Sequence, residues 1–121
     1  MPPRDWRVRV ADILSAVQDI DSHRATLTAQ TFERDRKAVH AVLFNLVVIG
    51  EAARNVPDEV QKAHPEVPWA DMCAMRNFVA HGYFAVSAAI VWATITEDLP
   101  VLVEPLRRLL VQGPSSNEPG H

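Results

Sequence analysis

The chain is poor in cysteine, in basic surplus and in long apolar runs, and each shortage removes a class of protein. Cys73 is the only cysteine among 121 residues, which excludes a disulfide within the chain and any multi-cysteine zinc site. Twelve Lys and Arg stand against fifteen Asp and Glu, a formal net charge of −3. No global basic field advertises nucleic acid, so any such site must be a local patch. No stretch approaches the roughly 18 apolar residues of a membrane span. The opening Met1-Pro2-Pro3-Arg4-Asp5-Trp6 lacks an apolar signal region, so a soluble, cytoplasmic protein is expected. Strand-like alternation bounded by hairpin turns is missing too, as is any internal repeat. What remains is an ordinary globular composition, 48% hydrophobic and 22% charged, long enough to bury a core without disulfides or structural metal.

The apolar residues recur at helical spacing. Val10, Ile13, Leu14, Val17 and Ile20 fall three and four apart from about Arg7 onward, one face of an amphipathic helix. Leu27 to Glu33 is less periodic and reads as a connection ending on a helix start. Val39, Val42, Leu43, Leu46, Ile49, Ala53 and Val56 mark a long second helix, stopped before Pro57 because the residue preceding proline avoids the α region. Gly50 inside it costs about 1 kcal/mol relative to alanine, and close approach of another helix would compensate.

Asp58 to Ala63 has room for one or two turns. Pro65 and Pro68 bracket a loop that delivers Trp69. Asp71 to Ala80 is helical in composition and ends near Gly82, a natural C-terminal breaker. A last helix carries Val86, Ala89, Ile90, Ala93, Leu99, Leu102, Val103, Leu106 and Leu110, with a kink expected at Pro100 and room for a second at Pro105. The expected architecture is an all-α, up-and-down bundle of four main helices plus a short one. Residues 1–112 form the domain, and residues 113–121, Gly-Pro-Ser-Ser-Asn-Glu-Pro-Gly-His, form a disordered tail.

Five histidines are present, and four have ordinary surroundings. His23 and His40 sit among charged or polar neighbours, His64 precedes a proline loop and His121 is in the tail. None has a second ligand at a convincing spacing, so no metal site is expected. His81 differs by its company, Met75-Arg76-Asn77-Phe78-Val79-Ala80-His81-Gly82-Tyr83. At about 100° per residue, Asn77 and His81 share one helical stripe, and the long Arg76 side chain reaches toward the imidazole. Phe78 and Val79 turn toward the core.

Spacing alone favours a structural account of this cluster, with Arg76 paired to a carboxylate, His81 capping the helix C-terminus and Tyr83 packing with its hydroxyl outward. The catalytic account stands beside it. Glu51, next to Gly50 in an apolar stretch, is either a salt-bridge partner that orients Arg76 or a solvent-facing helix glutamate. Arg34, Arg36 and Lys37, interleaved with Glu33 and Asp35, fit an exposed helix start better than an RNA-phosphate patch. Trp69 and Trp92 read as core or interface residues, and Cys73 as a small packed residue.

Arg76-x4-His81-x-Tyr83 resembles the R-x4-H-x-Y signature of HEPN-domain ribonuclease toxins of the HepT-like kind. Ile49-Gly50-Glu51-Ala52-Ala53 is similar to an element of that family, as are His64-Pro65-Glu66-Val67-Pro68-Trp69 before the motif and Val91-Trp92 through Asp98-Leu99-Pro100 after it. The resemblance runs from about Arg7 to Leu110 and departs nowhere at the motif. It implies a HEPN-like bundle and a metal-independent endoribonuclease, without cofactor, working as a homodimer whose two motif helices meet across a cleft. The implied partner is a minimal nucleotidyltransferase antitoxin that adenylylates the motif tyrosine. Carried over, catalysis falls to Arg76 and His81, with Asn77 in support and Tyr83 as the modification site. A different class of function also fits the resemblance: a catalytically silent helical module that binds a nucleotidyltransferase or a nucleotide.

The residue types suit RNA cleavage. RNA carries its own nucleophile, the 2′-hydroxyl. An imidazole with an unperturbed pKa of about 6.5 exchanges protons near neutrality. A guanidinium stays charged and binds two phosphate oxygens. One histidine cannot easily be base and acid at once, and a two-fold dimer supplies a second.

Overall fold

A computed structural model describes residues 5–80 and 88–112. Every regular element among them is helical. In chain order these are α1 (Trp6–Arg24), α2 (Ala29–Arg34), α3 (Arg36–Arg54), α4 (Asp58–Ala63), α5 (Trp69–Ala80), α6 (Ala88–Ala93) and α7 (Pro100–Gln112), with a π-helical turn over Thr94–Asp98 between the last two. The all-α expectation holds. The four main helices are α1, α3, α5 and the interrupted α6–α7 arm.

Helix α3 lies at the centre. It packs against α1 on one side and α5 on the other, and α7 rests on α1. Its apolar positions account for this: Ala38, Val42, Leu43, Leu46, Ile49, Ala52 and Ala53 are all buried, more than a single stripe. From α1 the facing residues are Val10, Ile13, Ala16, Val17 and Ile20, also buried. Asn45 is the one buried polar residue among those described. Its side-chain amide donates to Asp19 Oδ2 at 2.7 Å and to the Ala41 carbonyl at 2.9 Å, so burial leaves that donor satisfied.

Helix starts are chemically marked. Asp5 accepts from the backbone N–H of Arg7 at the head of α1, and Asp35 accepts from that of Ala38 at the head of α3. Asp35 therefore caps a helix between Arg34 and Arg36, the exposed helix start that the interleaved charges suggest.

The segment Leu27–Glu33 is more than a connection. Thr28 and Thr31 form a reciprocal capping box that starts α2, and Phe32 on this short helix is fully buried. Its ring lies 5.2 Å from that of Trp92 on α6. One buried residue in six leaves no periodicity to read; beside the main helices, the described residues hold two short ones, α2 and α4, where one was expected.

The last arm also differs from expectation. Pro100 begins α7, and the disturbance lies before it. Leu99 N–H donates to the Thr94 carbonyl, five residues back, at 3.0 Å, while Thr94 and Thr96 hydroxyls bond to the Ile90 and Trp92 carbonyls at 2.9 and 2.8 Å. The wide turn carries more residues than 3.6 per turn, so a register read from an uninterrupted helix slips across it. Val91, Ile95, Leu99, Leu102, Leu106 and Leu109 form the buried stripe, whereas Ile90 is 53% exposed and Ala89 is exposed as well. Pro105 lies within α7. Val86 and residues 113–121 fall outside the described part.

Candidate active site

The site begins with a missing side chain. Gly50 on α3 faces Arg76 on α5, and a Cβ added at Gly50 would lie 2.8 Å from the Arg76 backbone nitrogen and 3.1 Å from its Cα, overlapping the Arg76 Cβ as well. Only glycine lets the α5 backbone come this close. This is the helix approach that a mid-helix glycine suggested.

The contact places Glu51, the next residue, beside the Arg76 side chain. Arg76 Nε lies 2.6 Å from Glu51 Oε2, with the two side chains 39% and 42% exposed. Of the two readings open for Glu51, the ion pair is the one observed, and a carboxylate does pair with Arg76. Arg76 Nη1 also donates to Asn77 Oδ1 at 3.3 Å, so the two neighbouring motif residues share one rim. Phe78 and Val79 pack against the core, as the helical phase requires.

Arg54 escaped the sequence reading. Its Nη1 stands 3.9 Å from Glu51 Oε1, and the i,i+3 spacing from Glu51 was the available signal. Two guanidinium groups thus flank one carboxylate. Cys73, one turn before Arg76, is a half-buried free thiol. Burial pushes it above the ordinary thiol range, the nearby Glu51 charge adds to the shift, and Arg54 opposes it. It is a packed residue beside the site and not an activated nucleophile.

His81 and Tyr83 lie outside the described residues, as does Gly82. Among the described residues the remaining histidines have other surroundings: His23 faces Asp19 at 3.6 Å and His64 faces Glu66 at 3.5 Å, and His40 is exposed. Trp69 is buried, its indole N–H donating to the His64 carbonyl at 3.0 Å, and Trp92 packs against the core. Both are structural. No helix among the described residues is long and apolar enough to cross a membrane.

Residues 13–109 match the family model described as ribonuclease HepT-like. The chain belongs to the HepT-like ribonuclease family. Membership places it among enzymes of the ribonuclease class. A Thermococcus cleftensis protein that bears the name probable ribonuclease HepT is 36% identical over 99 residues, covering 82% of this chain and 90% of its own length. A Methanocaldococcus jannaschii protein named as a candidate RNase is 31% identical over 119 residues, covering 97% of this chain and 98% of its own. No solved structure matches the chain significantly. The matched range includes Gly50, Glu51, Arg54, Arg76, Asn77, His81 and Tyr83.

Proposed function

We propose that this HepT-like protein is a metal-independent endoribonuclease, the toxin half of a toxin–antitoxin pair. The observation that carries the reading is Arg76, held at an exposed rim of α5 by Glu51 and Asn77 and five residues before His81, within the span that matches a ribonuclease family. The RNA 2′-hydroxyl attacks the adjacent phosphorus and the 5′-oxygen of the next nucleotide departs. His81 takes the proton of the attacking hydroxyl, and a proton returns to the leaving oxygen. Arg76 holds the non-bridging phosphate oxygens as charge builds on them, and Asn77 supports it.

One imidazole cannot serve both ends of the displacement at once, so the working form is a homodimer in which a second His81 supplies the acid. The antitoxin is a minimal nucleotidyltransferase, and its target is Tyr83, two residues from His81. An AMP on that hydroxyl adds bulk and a phosphate that competes with RNA for Arg76. Incubation with such an enzyme and ATP should add AMP-sized mass to wild type and not to Tyr83→Phe.

The deciding experiment is cleavage of a labelled RNA by purified protein in the presence of chelator. Arg76→Ala and His81→Ala should each abolish cleavage while helix content and melting stay nearly unchanged. A wild type that cuts no RNA but still binds the nucleotidyltransferase would select the catalytically silent module instead. A variant that cuts like the parent would remove that residue from the mechanism.

A further inference from the structure

We infer that Glu51 is a positioning residue that holds the Arg76 guanidinium with its phosphate-binding end outward, an inference that rests on the ribonuclease reading above. A carboxylate beside a phosphate-binding arginine is electrostatically unfavourable for the substrate, because it cancels the cation and repels the phosphate. Its value here is geometric. A guanidinium carries five N–H donors in a rigid fork. Glu51 Oε2 pairs with the guanidinium on its Nε side at 2.6 Å, and Asn77 Oδ1 takes one N–H on Nη1 at 3.3 Å. Among the described residues no hydrogen bond takes the two Nη2 donors or the second Nη1 donor, and together they form the planar end that meets two oxygens of one phosphate.

Three features make this arrangement specific. Gly50 brings α5 so near α3 that no side chain fits between, which sets Glu51 level with the guanidinium. The pair is half-exposed, so neither partner is locked away from a ligand. Arg54, 3.9 Å from the other carboxylate oxygen, offsets part of the charge that Glu51 brings. An arginine without this tether would have to lose its rotamer freedom at the moment RNA binds.

The experiment is single-turnover cleavage of a labelled RNA oligonucleotide by the full chain and by Glu51→Gln and Glu51→Asp, across enzyme concentration. Glu51→Gln keeps the shape and loses the charge. It should lower the maximal cleavage rate on the order of 100-fold, the cost of a misplaced catalytic group. The half-saturating concentration should change less than threefold, and the melting temperature should hold. Glu51→Asp should recover part of the rate. The Arg76 Nε–H resonance, protected from solvent exchange in wild type, should exchange freely in Glu51→Gln. A Glu51→Gln enzyme as fast as wild type overturns the inference, as does a loss confined to half-saturation or one that follows a fallen melting temperature. A wild type that cleaves no RNA overturns the ribonuclease reading and this one together. An unprotected Arg76 Nε–H in wild type overturns the tether alone.

Discussion

Gly50→Ala sets two effects of known sign against each other. In the middle of an exposed helix the change should stabilise by about 1 kcal/mol, because alanine surrenders less backbone entropy on folding. Here the new methyl would stand 2.8 Å from the Arg76 backbone nitrogen, where ordinary contact begins at 3.4 Å. The obstacle is main chain, not the end of a flexible side chain. Helix α5 has to retreat by more than half an ångström, or α3 has to bend. Overpacking of this kind costs about 1–3 kcal/mol, and with backbone on both sides the upper half of that range applies. The net expectation is a loss of about 1–2 kcal/mol, a melting temperature lower by roughly 4–8 °C for a domain of this size. The same retreat stretches the 2.6 Å contact between Arg76 and Glu51, so cleavage measured well below the transition should fall on the order of 100-fold. Calorimetry at fixed protein concentration and a fluorescent RNA assay at 25 °C check the two halves separately. A variant that melts above wild type would refute the close contact as the reason for glycine. One that melts lower yet cleaves normally would uncouple the contact from the site.

Phe32→Ala removes a fully buried ring that meets Trp92 at 5.2 Å, and urea unfolding should show a loss of about 3–5 kcal/mol; a loss below about 1 kcal/mol would mean that α2 is not part of the cooperative core. Asn45→Ala gives up the amide bonds to Asp19 and Ala41 and should cost about 1–2 kcal/mol by the same measurement; Asp19 remains accessible to water, so no larger penalty is expected. The Cys73 thiol is raised by burial, which lowers its thiolate fraction at pH 8 in the folded state. Iodoacetamide should therefore label it more slowly in native protein than in urea, and equal rates would refute the burial argument.

Helix α5, which buries only Trp69 and Met72, was legible from its helical composition. Periodicity made α1 and α3 legible because each buries a stripe of about one residue per turn or more. The close approach at Gly50 was legible for the same reason, since a glycine inside a strong helical pattern needs a packing cause. Glu51 stayed open between two readings because phase on one helix does not say which residue of another helix lies opposite. That information is a relation between α3 and α5, and only the fold supplies it. Helix α2 was hidden by its length, with Phe32 as its sole buried residue and a Thr–Thr box in place of the more recognisable Ser/Thr–Glu pattern. The register of α6 was lost at the π turn, where extrapolating a 3.6-residue period put Ile90 inward in place of Val91. His81 and Tyr83 rest on their spacing from Arg76 and on family membership.

A net charge of −3 would weigh against RNA as a substrate if binding needed a broad basic face. The site shows how local the positive surplus can be. Arg76 and Arg54 flank a single carboxylate, so the cluster carries one net positive charge where the phosphate would dock, while the chain as a whole remains acidic. Sequence-independent affinity for RNA grows with the number of phosphates neutralised, so one such cluster binds weakly. In the homodimer proposed above, two copies would double the count without adding basic residues elsewhere. Under the function proposed above, affinity and proton transfer would both be served by two chains around one scissile phosphate. Arg34, Arg36 and Lys37, placed around the Asp35 cap at the opposite end of α3 from Glu51, are not needed to account for either.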